Sequence, residues 1–186
     1  MLYKTLNISN LDQIKKELYD VIQKDVIGFN AGDTDLIKER CPSLTNYLQK
    51  INLLNRWKDT GVSILTNSHR SLTIHSDSLD PRRVYALNIP VSNCENSYTV
   101  WYKANEGVKP VINKYGEPKK MVYSFQYKSE DVEEIDRMES SNPAFVNVKV
   151  PHSGISSNNS VRCLISLRFL PNITEEEILN LINLNA

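Results

Sequence analysis

The sequence predicts a mainly β chain, an antiparallel sandwich or barrel with helices in front of it and a short helix behind. Three observations carry this. Apolar residues recur at helical spacing up to about residue 57. From Gly61 onward the period becomes two, through short runs rich in β-branched and aromatic residues. No helical pattern separates those runs, so turns must join them, as in antiparallel sheets.

Taken in order, Leu11, Ile14, Leu18, Val21 and Ile22 lie on one face of a helix over 10–26, with Ser9 or Asn10 as its N-cap. Gly28 and Gly32 break the pattern. Pro42-Ser43 opens a second helix that presents Leu44, Tyr47, Leu48, Ile51 and Leu54 and ends near Trp57. Strands are predicted at 62–66, 71–75, 84–91, 98–102, 121–126, 144–150 and 161–169. Gly107, Pro110, Gly116 and Pro118 mark 104–120 as a long loop, and the acidic stretch 130–138 reads as a helical turn or a loop. A closing helix covers 175–184. Thr174 is its N-cap, and Glu175, Glu176 and Glu177 fill the first turn, where the helix dipole favours negative charge.

At 186 residues a single domain is expected. It divides into helical support over 1–60, a β core over 61–170 and a C-terminal helix over 171–186. Hydrophobic residues are 40% and charged residues 24%, an ordinary globular balance. Twenty-two basic residues offset 22 acidic ones, and no long basic run stands out. That argues against a sequence-independent hold on nucleic acid phosphates. No segment has the apolar length of a signal peptide or a membrane span. Cys41, Cys94 and Cys163 are too few and too scattered for a disulfide framework. The expectation is a reduced, cytoplasmic protein, with the oligomeric state open. Asn7 and Asn172 begin glycosylation patterns that mean nothing without secretion.

The chemistry concentrates in His75-Ser76-Asp77, with His152 following 75 residues after Asp77 and Arg162 ten residues after that. Residues i and i+2 of a strand leave the chain on one face, so His75 and Asp77 point together. Two imidazoles and a carboxylate are the ligand set of a non-haem Fe(II) site with an open face. The last predicted strand has an unbroken apolar face, Val161, Cys163, Ile165, Leu167 and Phe169. Its other face carries Arg162, Leu164, Ser166 and Arg168. Two inward arginines are expensive unless they meet an anion. His152 is expected just past a strand, with 153–159 as the turn that brings Arg162 back beside it.

His-x-Asp, a distal His and an Arg ten residues later, in that order over roughly 61–170, resemble the iron(II)- and 2-oxoglutarate-dependent oxygenases. The segment Ala86 to Tyr102 is similar to small, uncharacterised members of that superfamily. The resemblance implies a double-stranded β-helix core of the jelly-roll or cupin type. It implies His75, Asp77 and His152 as metal ligands, Fe(II) as the metal and 2-oxoglutarate as cosubstrate. O2 and a primary substrate the sequence does not identify complete the set. Arg162 would hold the far carboxylate, with Arg168 as a substitute; Ser166, Asn88 and Tyr102 are further candidates for that pocket. The implied reaction is hydroxylation with release of succinate and CO2. Asp77 favours hydroxylation, because related halogenating enzymes lack this carboxylate.

Each element also has a plainer reading. A lone His-x-Asp is usually a solvated pair. His69 lies in a turn and has no partner at ligand spacing. Trp101 and Tyr102 either line a substrate mouth or pack, and Asn93-Cys94-Glu95-Asn96 either holds a substrate or is a turn. Arg82-Arg83 beside Asp80-Pro81 is a solvated loop or an anion contact. At the level of the whole protein, the alternative is a metal-binding cupin-type isomerase, or a small-molecule-binding protein without oxygenase activity. Arg162 discriminates, since a plain metal cupin has no need of a buried arginine there.

Overall fold

The computed structural model describes residues 1–25, 34–66, 71–77, 84–115, 122–157 and 160–183. The elements run β1 (Tyr3–Thr5), α1 (Leu11–Asp25), α2 (Thr34–Arg40), α3 (Pro42–Lys50), β2 (Trp57–Leu65), β3 (His75–Asp77) and β4 (Tyr85–Ser92). They continue with β5 (Ser97–Ala104), β6 (Val111–Tyr115), β7 (Val122–Gln126), β8 (Val132–Glu139), β9 (Ala144–Asn147), β10 (His152–Ser156), β11 (Arg162–Phe169) and α4 (Glu175–Asn183). No helix among the described residues is long and apolar enough to cross a membrane.

The strands form two antiparallel sheets, ordered β1-β9-β4-β11-β2 and β6-β7-β3-β10-β5-β8. Setting aside edge strand β1 and the inserted pair β6 and β7 leaves eight strands. Renumbered along the chain, their orders are 1-8-3-6 and 2-7-4-5. Successive strands alternate between sheets except at the central hairpin, and the last strand lies beside the first. That is a jelly roll. The predicted mainly β fold with flanking helices is therefore the observed one.

The larger apolar core lies outside the sandwich. Ile14, Leu18, Leu44, Leu48 and Ile51 of the helices pack with Leu87, Ile89, Ile165 and Leu167 of the five-stranded sheet. The apolar stripes of α1 and α3 are what the helical spacing demands when one face meets a sheet. A smaller cluster of Ala86, Trp101, Met138, Ala144, Val146 and Val148, with Leu2 and Tyr3 against it, fills one end of the sandwich. α4 starts as predicted. Thr174 Oγ1 accepts from the Glu177 amide at 3.2 Å while Glu177 Oε2 accepts from the Thr174 amide at 2.7 Å, a reciprocal capping box.

Several elements differ from the sequence expectation. The second front helix stops at Lys50; Leu54–Arg56 is a 3-10 turn, and Trp57 already begins β2. Trp57 is fully buried with its Nε1 donating to Thr60 Oγ1, so tertiary packing overrides the helical spacing. The predicted loop 104–120 contains β6, and the acidic stretch 130–138 is mostly β8. β8 is an edge strand whose residues are mostly exposed, so its charges are solvated and the backbone pairs with β5. The predicted turn after His152 is strand β10, paired along its length with β5. β1 and α2 carried too few periodic residues to be seen. Gly28, Gly32, His69, Asp80, Pro81, Arg82, Arg83, Gly116, Pro118 and Met121 lie outside the described residues.

Candidate metal centre

β3 and β10 are neighbours, and their register places His152 opposite His75. Residues directly opposite in an antiparallel pair share a face, so both imidazoles point the same way, and Asp77 joins them two residues along β3. The ring centroids of His75 and His152 are 4.6 Å apart. One ligand atom from each of His75, Asp77 and His152 lies within 4.8 Å of the others, a group that could hold a metal ion. The three residues 77 sequence positions apart at their extremes thus meet because the second and seventh strands of a jelly roll are adjacent.

Both imidazoles are oriented by the same device. His75 Nδ1 donates to the Thr73 carbonyl at 2.7 Å, and His152 Nδ1 donates to the Val150 carbonyl at 2.9 Å. A carbonyl can only accept, so Nδ1 carries the proton and Nε2 presents its lone pair. Metal-binding histidines are held in this way by a partner on the other nitrogen. His75 Nε2 faces Asp77 Oδ1 at 3.4 Å. A proton or a metal ion shared between them would make that approach favourable.

The electrostatics agree. Burial pushes the His75 imidazole down, but the Asp77 carboxylate and the Thr73 carbonyl outweigh it, and the net shift is upward. Burial and then the charge of His75 push His152 down to about 4. Burial favours the neutral acid at Asp77, yet the Arg168 guanidinium and the two imidazoles hold its carboxyl well below the usual range. His152 is therefore a neutral nitrogen donor and Asp77 an ionised oxygen donor at neutral pH, the states a divalent cation needs.

Both inward arginines lie in the space between the sheets, but their partners differ. Arg168 donates from Nε at 3.0 Å and Nη2 at 2.6 Å to Asp77 Oδ2. Arg162 is 1% exposed and donates from Nη1 to Ser63 Oγ at 2.8 Å, while its Nε has no partner. Burial pushes its pKa down from the ordinary value. Two glycines make room. A Cβ on Gly61 would lie 2.9 Å from Arg168 Nη1, and one on Gly154 would lie 3.3 Å from Arg162 Nη1. Ser63, Gly61 and Gly154 were not singled out as site residues by sequence, and no local pattern marks them, since the register partners of Arg162 and Arg168 on β2 are Leu65 and Asp59.

Of the other predicted residues, Asn88 and Ser166 are register partners on the inner face of the five-stranded sheet, and Asn88 Oδ1 is buried without a partner. Tyr102 stands elsewhere. It pairs in register with Glu134 of β8, where burial and then the charge of Glu134 push its pKa up. Trp101 does not form an open mouth. It is fully buried, stacks on Tyr3 at 5.3 Å and donates from Nε1 to the Asn147 carbonyl at 3.0 Å. Asn93 and Asn96 both have positive φ, the geometry of a tight turn, and Cys94 is buried with its thiol donating to the Cys163 carbonyl.

No family model matches the chain, and no curated protein matches it. Among solved structures, an acireductone dioxygenase from Bacillus anthracis with a cadmium ion in its active centre aligns over 90% of this chain and 76% of its own. Identity is 12% and the TM-score 0.30. A score that low carries no argument about activity, and the jelly-roll assignment rests on the strand order.

Proposed function

We propose that this protein is a non-haem Fe(II)- and 2-oxoglutarate-dependent dioxygenase that hydroxylates a primary substrate with release of succinate and CO2. The observation that carries the reading is one strand face. His152, in the candidate metal group, and Gly154, against the Arg162 guanidinium, sit two residues apart on β10. That spacing is about 6.8 Å of backbone at the rise of an antiparallel strand, so one face of β10 carries both the candidate metal group and the guanidinium that would answer a diacid.

The donor set fits Fe(II). Two imidazole nitrogens and one carboxylate oxygen lie within 4.8 Å of one another, a donor set that would leave part of a bound ion open to exogenous ligands. His75, Asp77 and His152 would hold the metal, which supplies O2 activation coupled to oxidation of the 2-oxo acid. Arg162 would bind the C5 carboxylate, with its unpartnered Nε and remaining guanidinium N–H groups aimed at the two oxygens. Ser63 holds that guanidinium, and Leu164 lies opposite Ser63 in the register. Asn88 and Ser166 line the wall between the two arginines.

The test is anaerobic addition of Fe(II) and 2-oxoglutarate to the purified protein. A weak visible charge-transfer band is expected from the chelate, and the band should be lost in His152→Ala. Normal Fe(II) binding with no band at saturating 2-oxoglutarate would leave a metal-binding cupin without this cosubstrate.

A further inference from the structure

We propose that Arg168 is a positioning residue for the metal-binding carboxylate, fixing Asp77 so that it offers one oxygen only; this rests on the metal reading above. The geometry differs from the usual arginine–carboxylate fork, in which each oxygen takes one donor. Here Nε at 3.0 Å and Nη2 at 2.6 Å both reach Oδ2. Oδ1 receives neither and faces His75 Nε2. The carboxylate is therefore divided into one oxygen held by the far sheet and one aimed into the ligand group.

Two consequences follow. A carboxylate free at both oxygens can bind a cation in two-point fashion and occupy a position that exogenous ligands require. With Oδ2 held by two N–H donors, that mode is closed. Arg168 also offsets the charge of Asp77, so the ion keeps its full formal charge for an anionic ligand. Arg168 is itself held. Its Nη1 lies against Gly61, where any side chain would intrude, and Asp59 faces it in register from β2. Arg162 has no carboxylate partner among the described residues and a buried, unpartnered Nε, so that guanidinium is the one left without an anion.

The experiment is Mn(II) titration by calorimetry of wild type, Arg168→Met, Arg168→Lys, Arg162→Met and Asp77→Asn, with the visible spectrum of each Co(II)-loaded form. Arg168→Met should weaken Mn(II) binding about 10- to 100-fold, the usual effect of losing a residue that orients a ligand. Arg168→Lys should recover part of that, since a point charge reaches Oδ2 but cannot supply two fixed donors. The Co(II) bands should change in Arg168→Met and stay as in wild type in Arg162→Met. If Arg168→Met does not fold, Gly61→Ala carries the test, because it displaces the guanidinium while keeping the arginine; it should weaken Mn(II) binding severalfold. Unchanged or tighter Mn(II) binding in the Arg168 variants, or an equal loss in Arg162→Met, overturns the inference. If wild type binds Mn(II) and Asp77→Asn does not, that failure leaves the metal reading standing. If wild type itself does not bind, both readings fall together.

Discussion

The two sides of the five-stranded sheet were built for different ends. On the helix side, β11 presents Cys163, Ile165, Leu167 and Phe169, all buried among Leu44, Leu48 and Leu87. On the inner side the same strand presents Arg162, Leu164, Ser166 and Arg168. The first face is dry and close to the packing that sets stability. The second holds two cations, one of them with an unpartnered Nε, beside the unpartnered carbonyl of Asn88. Such groups cost stability in the ligand-free protein and are retained where a ligand answers them. A sandwich whose core has moved outside, under helices, is free to keep its interior polar.

The contrast is easiest to break from the helix side. Leu48→Ala removes a fully buried side chain and should cost about 2–5 kcal/mol of stability. Its 2-oxoglutarate affinity, measured on folded protein, should stay at the wild-type value. A thermal midpoint equal to wild type would place α3 outside the cooperative core.

Arg162 should behave in the reverse way. Arg162→Ala should lose about 2–5 kcal/mol of 2-oxoglutarate binding, roughly thirty- to several-thousand-fold, and keep the metal. Arg162→Met, which fills the space without the charge, should raise the ligand-free thermal midpoint by the equivalent of ~1 kcal/mol. A fall in stability on that substitution would mean the guanidinium is well satisfied in the free protein and is not waiting for an anion.

Acidification separates the two sides by titration. His152 sits at about 4 in the folded protein against an ordinary 6.5, so the unfolded chain binds the extra proton between those values. The stability that comes from keeping it neutral is complete above about pH 6.5 and is lost as pH falls toward 4. His75, raised, contributes with the opposite sign at higher pH, and lowered Asp77 contributes only below the ordinary carboxylate range. With chelator present, urea midpoints of wild type should therefore drop between pH 6.5 and 4, and His152→Asn should flatten that slope. An equal slope in the variant would assign the acid sensitivity elsewhere.

The smallest effect belongs to Trp101→Phe. Loss of the Nε1 bond to Asn147 should cost about 1 kcal/mol, with no change in cosubstrate affinity. A large change in turnover with stability intact would return Trp101 to the substrate path.

Much of this molecule was legible along the chain because alternation in a strand is local. The opposed faces of β11, the pairing of His75 with Asp77 on one face and the Thr174 cap each depend on residues two or three positions apart. The apolar stripes of α1 and α3 depend on three- and four-residue spacing. What failed were segments where pairing overrides local preference. Trp57 reads as the end of a helix and becomes a strand because burial of its ring against Thr60 outweighs propensity. Residues 132–139 look like a solvated acidic turn because an edge strand exposes its charges, and only the bonds to β5 make it a strand.

The sequence by itself determined the mainly β class, the shared face of His75 and Asp77 and the presence of two inward cations. The tertiary structure alone decided which of them meets what. The alternation of strands between sheets brings β3 beside β10 and faces β11 across the interior, so that Arg168 reaches Asp77, 91 residues away, while Arg162 finds Ser63. Spacing along a strand fixes direction, but partners across a sandwich are set by sheet order and register, which are long-range properties that no local pattern encodes.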